Sequence, residues 1–442
     1  MKQIKQLIIY LIIAISGIIN VHIYPILMNK YTIMLLIFTF ISCQAVEDET
    51  NYHFNENGIS REVLENYLER SITMVYFLMP DYVERSGNYP YYQDDIRMIK
   101  ETGAKFIGRA IYRWGGESLL NNTEFWNKAG NIVNEMHTFD PEIVFQACLF
   151  EVITEDVNNV PIPEWVFRDY NLPVEQRNFS YDAMLNNNGI MVNHWGQSSV
   201  PDISKQETKL WFYFLAGSYI NVGCEAFHIG QVELIGMNDP DKDHWKAMLA
   251  KIRDYASKHA RRKWVIIDAH VPKGGMLKDG ASLIDFNSFP LRVKEVPEKP
   301  NEGILEVNYS DGIYHKSKGC TTPSGWNCNH LPYLVEFDNF GQSQTPGEVT
   351  LNSHFIWGRD EISWFSLQDE SYRNRWLKYA FDWIKQTDSN GHLQMPGNRM
   401  ITCPNETNGY YHANTKSKAC PVGYSQEETI KELWNNANQE LK

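Results

Sequence analysis

The amino-acid sequence predicts an α/β protein: a (β/α)8 TIM barrel with a long β3–α3 loop region and a C-terminal extension. Two observations lead to this fold class. Short apolar runs alternate with stretches of helical spacing, and eight of these runs have the length and composition of strands. No Gly-x-Gly-x-x-Gly motif follows the first run, which removes the usual dinucleotide-binding sheet as an alternative.

Each element is predicted from its local pattern. The first run, 72–79, is almost continuously apolar and ends at Pro80-Asp81, as expected for a strand buried on both faces. A helix is predicted at 92–102, where apolar residues recur at helical spacing and Gly103 follows. The other strands are predicted at 105–112, 143–150, 224–230, 264–271, 304–308, 333–340 and 362–367. The other helices are predicted at 125–137, 207–220, 242–260, 372–385 and 426–439.

The chain is predicted to comprise four segments. Residues 1–43 form a signal and anchor region, and 44–70 lead into the barrel at 71–390. Residues 391–442 form a C-terminal extension packed on the barrel. Within the barrel, the irregular stretch 154–203 is rich in Asn, Pro and Trp and is expected to cover the mouth or to pack on the barrel side.

The amino terminus carries two apolar runs that indicate export. The second run, 33–42, ends in Phe40-Ile41-Ser42-Cys43, which resembles a bacterial lipobox whose cysteine is lipidated. Met28 is a possible true start, and a transmembrane anchor at 7–27 is the alternative. The predicted location is the outer membrane or cell surface, as a lipoprotein, with a periplasm-facing protein as the alternative.

The remaining cysteines agree with an oxidising compartment. Cys320 and Cys328 bracket a Pro-Ser-Gly turn, and Cys403 and Cys420 bracket a loop-like segment. Both pairs are plausible disulfides.

Composition narrows the choice of ligand. The 442 residues are 43% hydrophobic, which excludes a disordered chain or a small disulfide scaffold. The formal charge is −13, from 41 Lys+Arg and 54 Asp+Glu, with no cluster of basic residues. A nucleic-acid partner is therefore not expected, because such binding depends on phosphate neutralisation. The 13 Trp, 24 Tyr and 21 Phe suit stacking on the flat apolar faces of sugars.

Polar residues collect at the carboxyl ends of the predicted strands, where a barrel places its catalytic groups. Strands five, six and seven each end in a pair of acidic, amide or imidazole side chains at i and i+2, which lie on one face. Burying carboxylates is costly, so three such strands favour a functional site over a structural polar network. The candidate residues are Arg109, Arg113, Trp114, Glu151, His228, Glu233, Asp268, His270, Glu306, Asn308, Glu336, Asp338 and Trp364, with Trp195 from the long loop.

These strand-end carboxylates resemble those of the TIM-barrel glycoside hydrolases, and the chain is similar to the glycoside-hydrolase-like surface lipoproteins of bacterial glycan-utilisation systems. The resemblance covers residues 71–390 and implies hydrolysis by two carboxylates, one a proton donor and the other a nucleophile or base. It places the nucleophile at Glu336, which ends strand seven. In the family the acid is a Glu at the end of strand four, usually preceded by Asn, whereas this chain has Gln231-Val232-Glu233 there.

The second catalytic group is therefore expected among Glu233, Asp268 and Glu306, with Asp338 beside Glu336. The resemblance implies a carbohydrate substrate, no cofactor, a lipid anchor as the sole membrane contact, and possible partner proteins of a glycan-uptake system. The other candidate residues are expected to bind substrate.

Two other classes of function stay open. A non-catalytic glycan-binding lipoprotein could use the same scaffold. A metal-dependent hydrolase could bind zinc through His228, Asp268 and His270, but such barrels usually have His-x-His on the first strand, and 72–79 contains no His. No metal is therefore predicted. Serine hydrolysis lacks its Gly-x-Ser-x-Gly elbow.

Overall fold

The structure is a computed structural model that describes residues 50–82, 90–271, 274–309, 316–351, 353–402 and 409–440. The predicted signal region with Cys43, and Cys403 of one predicted disulfide, lie outside these residues. Within the described ranges, no helix has the length and apolar character required to cross a membrane.

A ten-stranded sheet forms the centre of the molecule. In sequence order its strands are β1 Ser71–Met74, β2 Phe106–Ile111, β3 Val144–Cys148, β4 Ala226–Gln231, β5 Ile266–His270, β6 Phe286–Pro290, β7 Tyr333–Glu336, β8 Gly391–Leu393, β9 Met395–Met400 and β10 Tyr410–His412. In space they lie in the order β8-β7-β6-β5-β4-β3-β2-β1-β9-β10. All neighbours are parallel except β9 and β10.

The sheet is curled. Strands β8 and β9 are separated in the chain by Gln394 alone, yet β8 pairs with β7 and β9 pairs with β1. A single stretch of chain, 391–400, thus lies next to strands from both flanks of the sheet.

Helices surround this sheet. Within the described ranges the α-helices are α1 Arg61–Glu69, α2 Tyr92–Thr102, α3 Thr123–Phe139, α4 Glu164–Asp169, α5 Tyr181–Met184, α6 Gln206–Val222, α7 Val232–Ile235, α8 Asp243–His259, α9 Glu361–Leu367, α10 Glu370–Thr387 and α11 Glu427–Glu440. Short helices α4 and α5 lie in the irregular stretch 154–203. At the end of α2, Gly103 takes φ 71° and its N–H reaches the carbonyl of Ile99, a left-handed cap that a Cβ would disfavour.

The amino ends of the strands are covered by the segment 52–68. Ser60 caps α1 by accepting a hydrogen bond from the N–H of Val63. Apolar residues of this segment pack against a residue near the start of each of six strands: Phe106, Val144, Ala226, Ile266, Phe286 and Leu334. Because this end of the sheet is closed, the carboxyl ends remain for a binding site.

Most elements lie where the sequence predicts them, since strands β2–β5 and β7 are runs of apolar residues and the long helices have regular spacing. The sixth strand is a correction. Segment 304–308 is not part of the main sheet; its first residue pairs in a two-stranded ribbon, Lys294–Glu295 with Gly303–Ile304. Strand β6, Phe286–Pro290, takes that place, and the hydroxyl of its buried Ser288 donates to Asp268 of β5.

The last predicted strand, 362–367, is also a correction. It is helix α9, because Asp360 accepts a hydrogen bond from the N–H of Ser363 and starts a helix there. Residues 391–400, predicted to lie in an external extension, instead belong to the main sheet. The first strand is shorter than predicted, since Tyr76 takes φ 64° and the apolar run continues as a turn.

Cys320 and Cys328 face one another across two short antiparallel strands, and their Sγ atoms are 3.8 Å apart as free thiols. This placement puts them within reach of each other, and their oxidation stays a prediction.

The stability of the fold should depend on pH through His412. This side chain is 2% exposed, and its burial lowers its pKa to about 4, below the value of about 6.5 in an unfolded chain. The folded state therefore favours neutral His412. This contribution to the free energy of unfolding is fully present above pH 6.5, and it is lost as the pH falls toward 4 because the unfolded chain takes up the proton first. We expect the free energy of unfolding of the wild type, relative to His412→Phe, to fall by about 3 kcal/mol between pH 7 and pH 4. Urea unfolding across this range measures it, and parallel curves for the two proteins would contradict the prediction.

Candidate active site at the carboxyl ends of the strands

A cleft of about 430 Å³ opens at the carboxyl ends of the strands. Its walls are aromatic. Trp114 and Trp195 are each 39% exposed, with ring centroids 6.3 Å apart. The remaining aromatic lining residues are Tyr76, Tyr112, Phe150 and Phe340. Such walls fit a ligand with flat apolar faces and a polar rim.

A second cavity of about 400 Å³ adjoins the first. Both share Trp195, Gln231, His270, Asp338 and Phe340 in their linings, so together they form a continuous groove. An elongated ligand could occupy both parts.

The floor of the cleft contains a buried ion pair between Glu336 and Arg109. The guanidinium holds both carboxylate oxygens: Nε lies 2.8 Å from Oε2, and Nη2 contacts Oε1. Glu336 is 3% exposed and Arg109 6%. They belong to β7 and β2, which are not neighbours in the sheet, so the pair spans the interior of the curl. Glu336 therefore points into the interior of the curl.

Local backbone conformation aims Arg109 at this position. Arg109 takes φ 57°, a left-handed conformation that costs about 1–3 kcal/mol for a residue with a Cβ. The register of β2 against β3 shifts at the same place. Gln146 of β3 stabilises the distortion, because its Oε1 accepts a hydrogen bond from the N–H of Arg109 at 3.0 Å.

A second carboxylate, Asp338, lies beside the first and lines the cleft. Nη2 of Arg399 is 3.0 Å from Oδ1 of Asp338 and 3.7 Å from Oε2 of Glu336. Because both oxygens contact the same nitrogen, they are at most about 6.7 Å apart. On its other side, Asp338 lies 3.8 Å from Nη1 of Arg292.

The charges around Glu336 determine its ionisation. Burial alone would raise its pKa, but the guanidinium groups of Arg109 and Arg399 and the contact with His270 hold the pKa well below its usual range. Glu336 is thus an ionised carboxylate in a desolvated place.

A fully buried carboxylate, Asp268, organises the neighbouring strands. It accepts hydrogen bonds from Nε2 of Gln146 and Nδ1 of His228, each at 2.6 Å, and from the hydroxyl of Ser288. Both of its oxygens thus accept hydrogen bonds from protein groups, and Asp268 is not among the residues that line the cleft. Asp268 therefore positions His228 and does not face the cleft as a catalytic group would.

Imidazole and carboxyl groups surround this floor. The ring of His270 lies 4.8 Å from that of His228, and its Nε2 is 3.4 Å from Oε1 of Glu336. Glu151, 4% exposed at the end of β3, accepts two hydrogen bonds from Gln231. The donor atoms of His228, His270 and Glu336 lie within 4.8 Å of one another, a group that could hold a metal ion.

The structure does not bring every predicted residue to the site. Glu306 lies outside the sheet, exposed, with its carboxylate 2.6 Å from Lys294. Asn308 is exposed on the same excursion. Both were misplaced because the sixth strand is β6 and not 304–308.

Three further predicted residues have other positions. Trp364 is 1% exposed in α9 and donates its indole N–H to the carbonyl of Asn301, so it belongs to the core. Glu233 is exposed in α7 and lines only the second cavity. Arg113 is half-buried beside Gly116 and lines neither cavity.

Sequence reasoning missed Arg399 and Gln146. Arg399 was missed because 391–400 was predicted to lie outside the sheet, although apolar and polar residues alternate over 391–395 as in a strand. Gln146 stands inside an apolar run, and a buried amide in a strand is a signal that could have been used.

No model of a known protein family matches the sequence, and no curated protein does. Among solved structures, the chain is similar to the native debranching enzyme from Nostoc punctiforme, with 10% identity over 85% of this chain and 80% of that one, at TM-score 0.38. It is also similar to γ-CGTase from alkalophilic Bacillus clarkii, with 9% identity over 85% and 57% of the chains, at TM-score 0.40.

A third similar structure is a noncanonic maltogenic α-amylase, AmyB, from Thermotoga neapolitana, with 12% identity at TM-score 0.33. The match covers 50% of each chain, so this protein spans about half the length of the amylase it matches. At identities near 10% and TM-scores of 0.40 or below, these likenesses assign no role to any side chain.

Proposed function

We propose that the protein is a glycoside hydrolase that binds a glycan in the groove and cleaves it with two carboxylates. In this proposal the curled sheet is a closed (β/α)8 barrel, with β8 and β9 as two halves of one eighth strand. The pairing of 391–400 with both β7 and β1 supports this closure.

One observation carries the functional proposal: the ionised carboxylate Glu336 lies beneath an aromatic cleft, beside a second carboxylate, Asp338, that lines it. Hydrolysis of a glycosidic bond requires two such groups in different protonation states. Arg109 holds Glu336 ionised, which suits a nucleophile or base. In this proposal Asp338, which lines the cleft, is the group that exchanges a proton with the leaving oxygen.

The spacing of the two carboxylates suggests a stereochemical outcome. Retaining enzymes hold their carboxyl groups about 5–5.5 Å apart, whereas inverting enzymes need about 6.5–9.5 Å to admit a water molecule. The upper bound of about 6.7 Å between the nearer oxygens of Glu336 and Asp338 includes the first range and only the lower edge of the second. We therefore expect retention of the anomeric configuration.

A second candidate function is glycan binding without cleavage. The observation that favours it is that both oxygens of Glu336 are occupied by Arg109 and that Glu336 is absent from the lining of the cleft. In that case the ion pair is a structural support beneath a binding surface.

The test is a glycan panel followed by reaction with the glycans that bind. We expect release of reducing ends by the wild type and a loss of about 100-fold or more in kcat for Asp338→Asn, with binding retained. NMR of the first-formed anomer reports retention or inversion. Glu306→Gln is the matched control, because Glu306 is an exposed carboxylate outside the groove. Binding by the wild type without any cleavage would favour the second function, and absence of binding to every glycan would reject both.

We also propose that the mature chain begins at a lipidated Cys43 and is displayed on the outer membrane or cell surface. The support is the lipobox-like segment 40–43. The intact mass of protein extracted from membranes should include acyl groups on Cys43 and lack residues 1–42. An unmodified amino terminus would contradict this.

A further inference from the structure

Three side chains from three strands converge beneath the cleft: His228 of β4, His270 of β5 and Glu336 of β7. We propose that they bind one divalent cation of the zinc class. This inference goes beyond the proposed function and does not require that the protein cleave a glycan.

The state of His228 is the first argument. Its Nδ1 lies 2.6 Å from Asp268, a carboxylate with no exposed surface. Because a carboxylate accepts, this contact assigns the proton to Nδ1 and leaves a lone pair on Nε2. His228 is 2% exposed, and within the described residues Nε2 has no hydrogen-bond partner. A buried lone pair without a donor is unfavourable, and a metal ion would satisfy it.

The setting of His228 is typical of a metal ligand. Histidines that bind metals almost always donate their other ring N–H to a carboxylate or carbonyl, which fixes the tautomer and the ring orientation. Asp268 does this for His228, and Gln146 in turn holds Asp268 through a hydrogen bond of 2.6 Å. The imidazole is thus supported by a second layer of hydrogen bonds.

The two remaining ligands are close by. Nε2 of His270 is 3.4 Å from Oε1 of Glu336, without a hydrogen bond of Nε2 to any described residue. Arg109 occupies one side of the Glu336 carboxylate, but two oxygens offer about four acceptor positions, so a lone pair remains for a cation. All three donor atoms lie within 4.8 Å of one another.

The charge balance and the donor set indicate which ion is suitable. Three carboxylates, Asp268, Glu336 and Asp338, are balanced by three guanidinium groups, Arg109, Arg399 and Arg292, so the site carries no net positive charge before a cation is added. Two imidazoles with one carboxylate suit Zn²⁺ better than Ca²⁺ or Mg²⁺, which prefer oxygen ligands. Three protein ligands leave a position open toward the cleft, where His228 and His270 are lining residues.

The experiment measures metal binding directly. Full-length protein in detergent is dialysed against a chelator and titrated calorimetrically with Zn²⁺ alone. We expect one Zn²⁺ per chain, and at least a 100-fold loss of affinity for His270→Ala and His228→Gln. Asp268→Asn should weaken binding by about 10- to 100-fold, because it removes the support of a ligand. His354→Ala is the matched control, since His354 lines the adjoining cavity without belonging to the three.

Thermal unfolding of each variant confirms that it folds. His228→Gln could fail to fold because Asp268 loses its partner. In that case the zinc affinity of His270→Ala is the test, since the ring of His270 is partly open to solvent and its removal should disturb folding less. Absence of Zn²⁺ binding by the wild type, or unchanged affinity in His270→Ala, would overturn the proposal. The glycan panel is repeated on the zinc-free and zinc-loaded protein. Zinc binding without glycan cleavage would reject the proposed function alone, and cleavage without zinc binding would reject this inference alone.

Discussion

Glu336→Gln should reduce glycan turnover by about 10³- to 10⁴-fold, since general acid–base or nucleophilic assistance at this position would be lost. The same change should lower the free energy of unfolding by about 3–5 kcal/mol. The reason is that Arg109, which is 6% exposed, would remain as a buried charge without its carboxylate. Chemical denaturation and steady-state kinetics measure the two effects separately.

A double variant separates catalysis from folding at this position. Arg109→Met combined with Glu336→Leu removes both charges, and replacing a buried ion pair by apolar residues is often neutral or stabilising. We therefore expect the double variant to regain most of the stability while remaining inactive. Recovery of turnover would show that the ion pair is structural, and full stability of Glu336→Gln alone would contradict the account of its burial.

Trp364→Ala should destabilise the protein by about 3–5 kcal/mol, because it removes a large side chain from the core. Trp364 is 1% exposed and packs against Phe365 and Trp376, while its indole N–H donates to the carbonyl of Asn301. Glycan affinity per folded molecule should not change, because Trp364 lines neither cavity.

Trp195→Ala is the matched control for this prediction. Trp195 is 39% exposed and lines both cavities, so its loss should weaken glycan binding by about 10-fold while changing stability little. Calorimetric unfolding and binding to an immobilised glycan measure both quantities for both variants. If Trp364→Ala weakened binding and left stability unchanged, the assignment of Trp364 to the core would be wrong.

The elements predicted correctly share a local cause. Strands β2–β5 are apolar through most of their length, and α2 has regular apolar spacing with a glycine at its end. These patterns depend on residues a few positions apart, so they can be read without knowledge of the fold. The same reasoning placed Arg109, His270 and Glu336 at the carboxyl ends of strands.

The elements predicted wrongly depend on distant partners. Strand β6 contains Asn287 and Ser288, and β9 contains Arg399, all of which are polar residues that look unsuited to a buried strand. Ser288 is buried because its hydroxyl donates to Asp268, and Arg399 because it meets Asp338. Neither partner can be identified from the local pattern.

The sequence by itself determined the class of fold, through alternating apolar runs and helices, and the end of the sheet at which charged residues collect. Only the tertiary structure decided which of these residues meet. Arg109 and Glu336 are 227 positions apart and belong to strands that are not neighbours in the sheet. Their contact exists because the sheet curls and brings β2 opposite β7. Buried charges are stable only when such a partner is present, so the ionised carboxylate of the candidate site is a property of the folded chain.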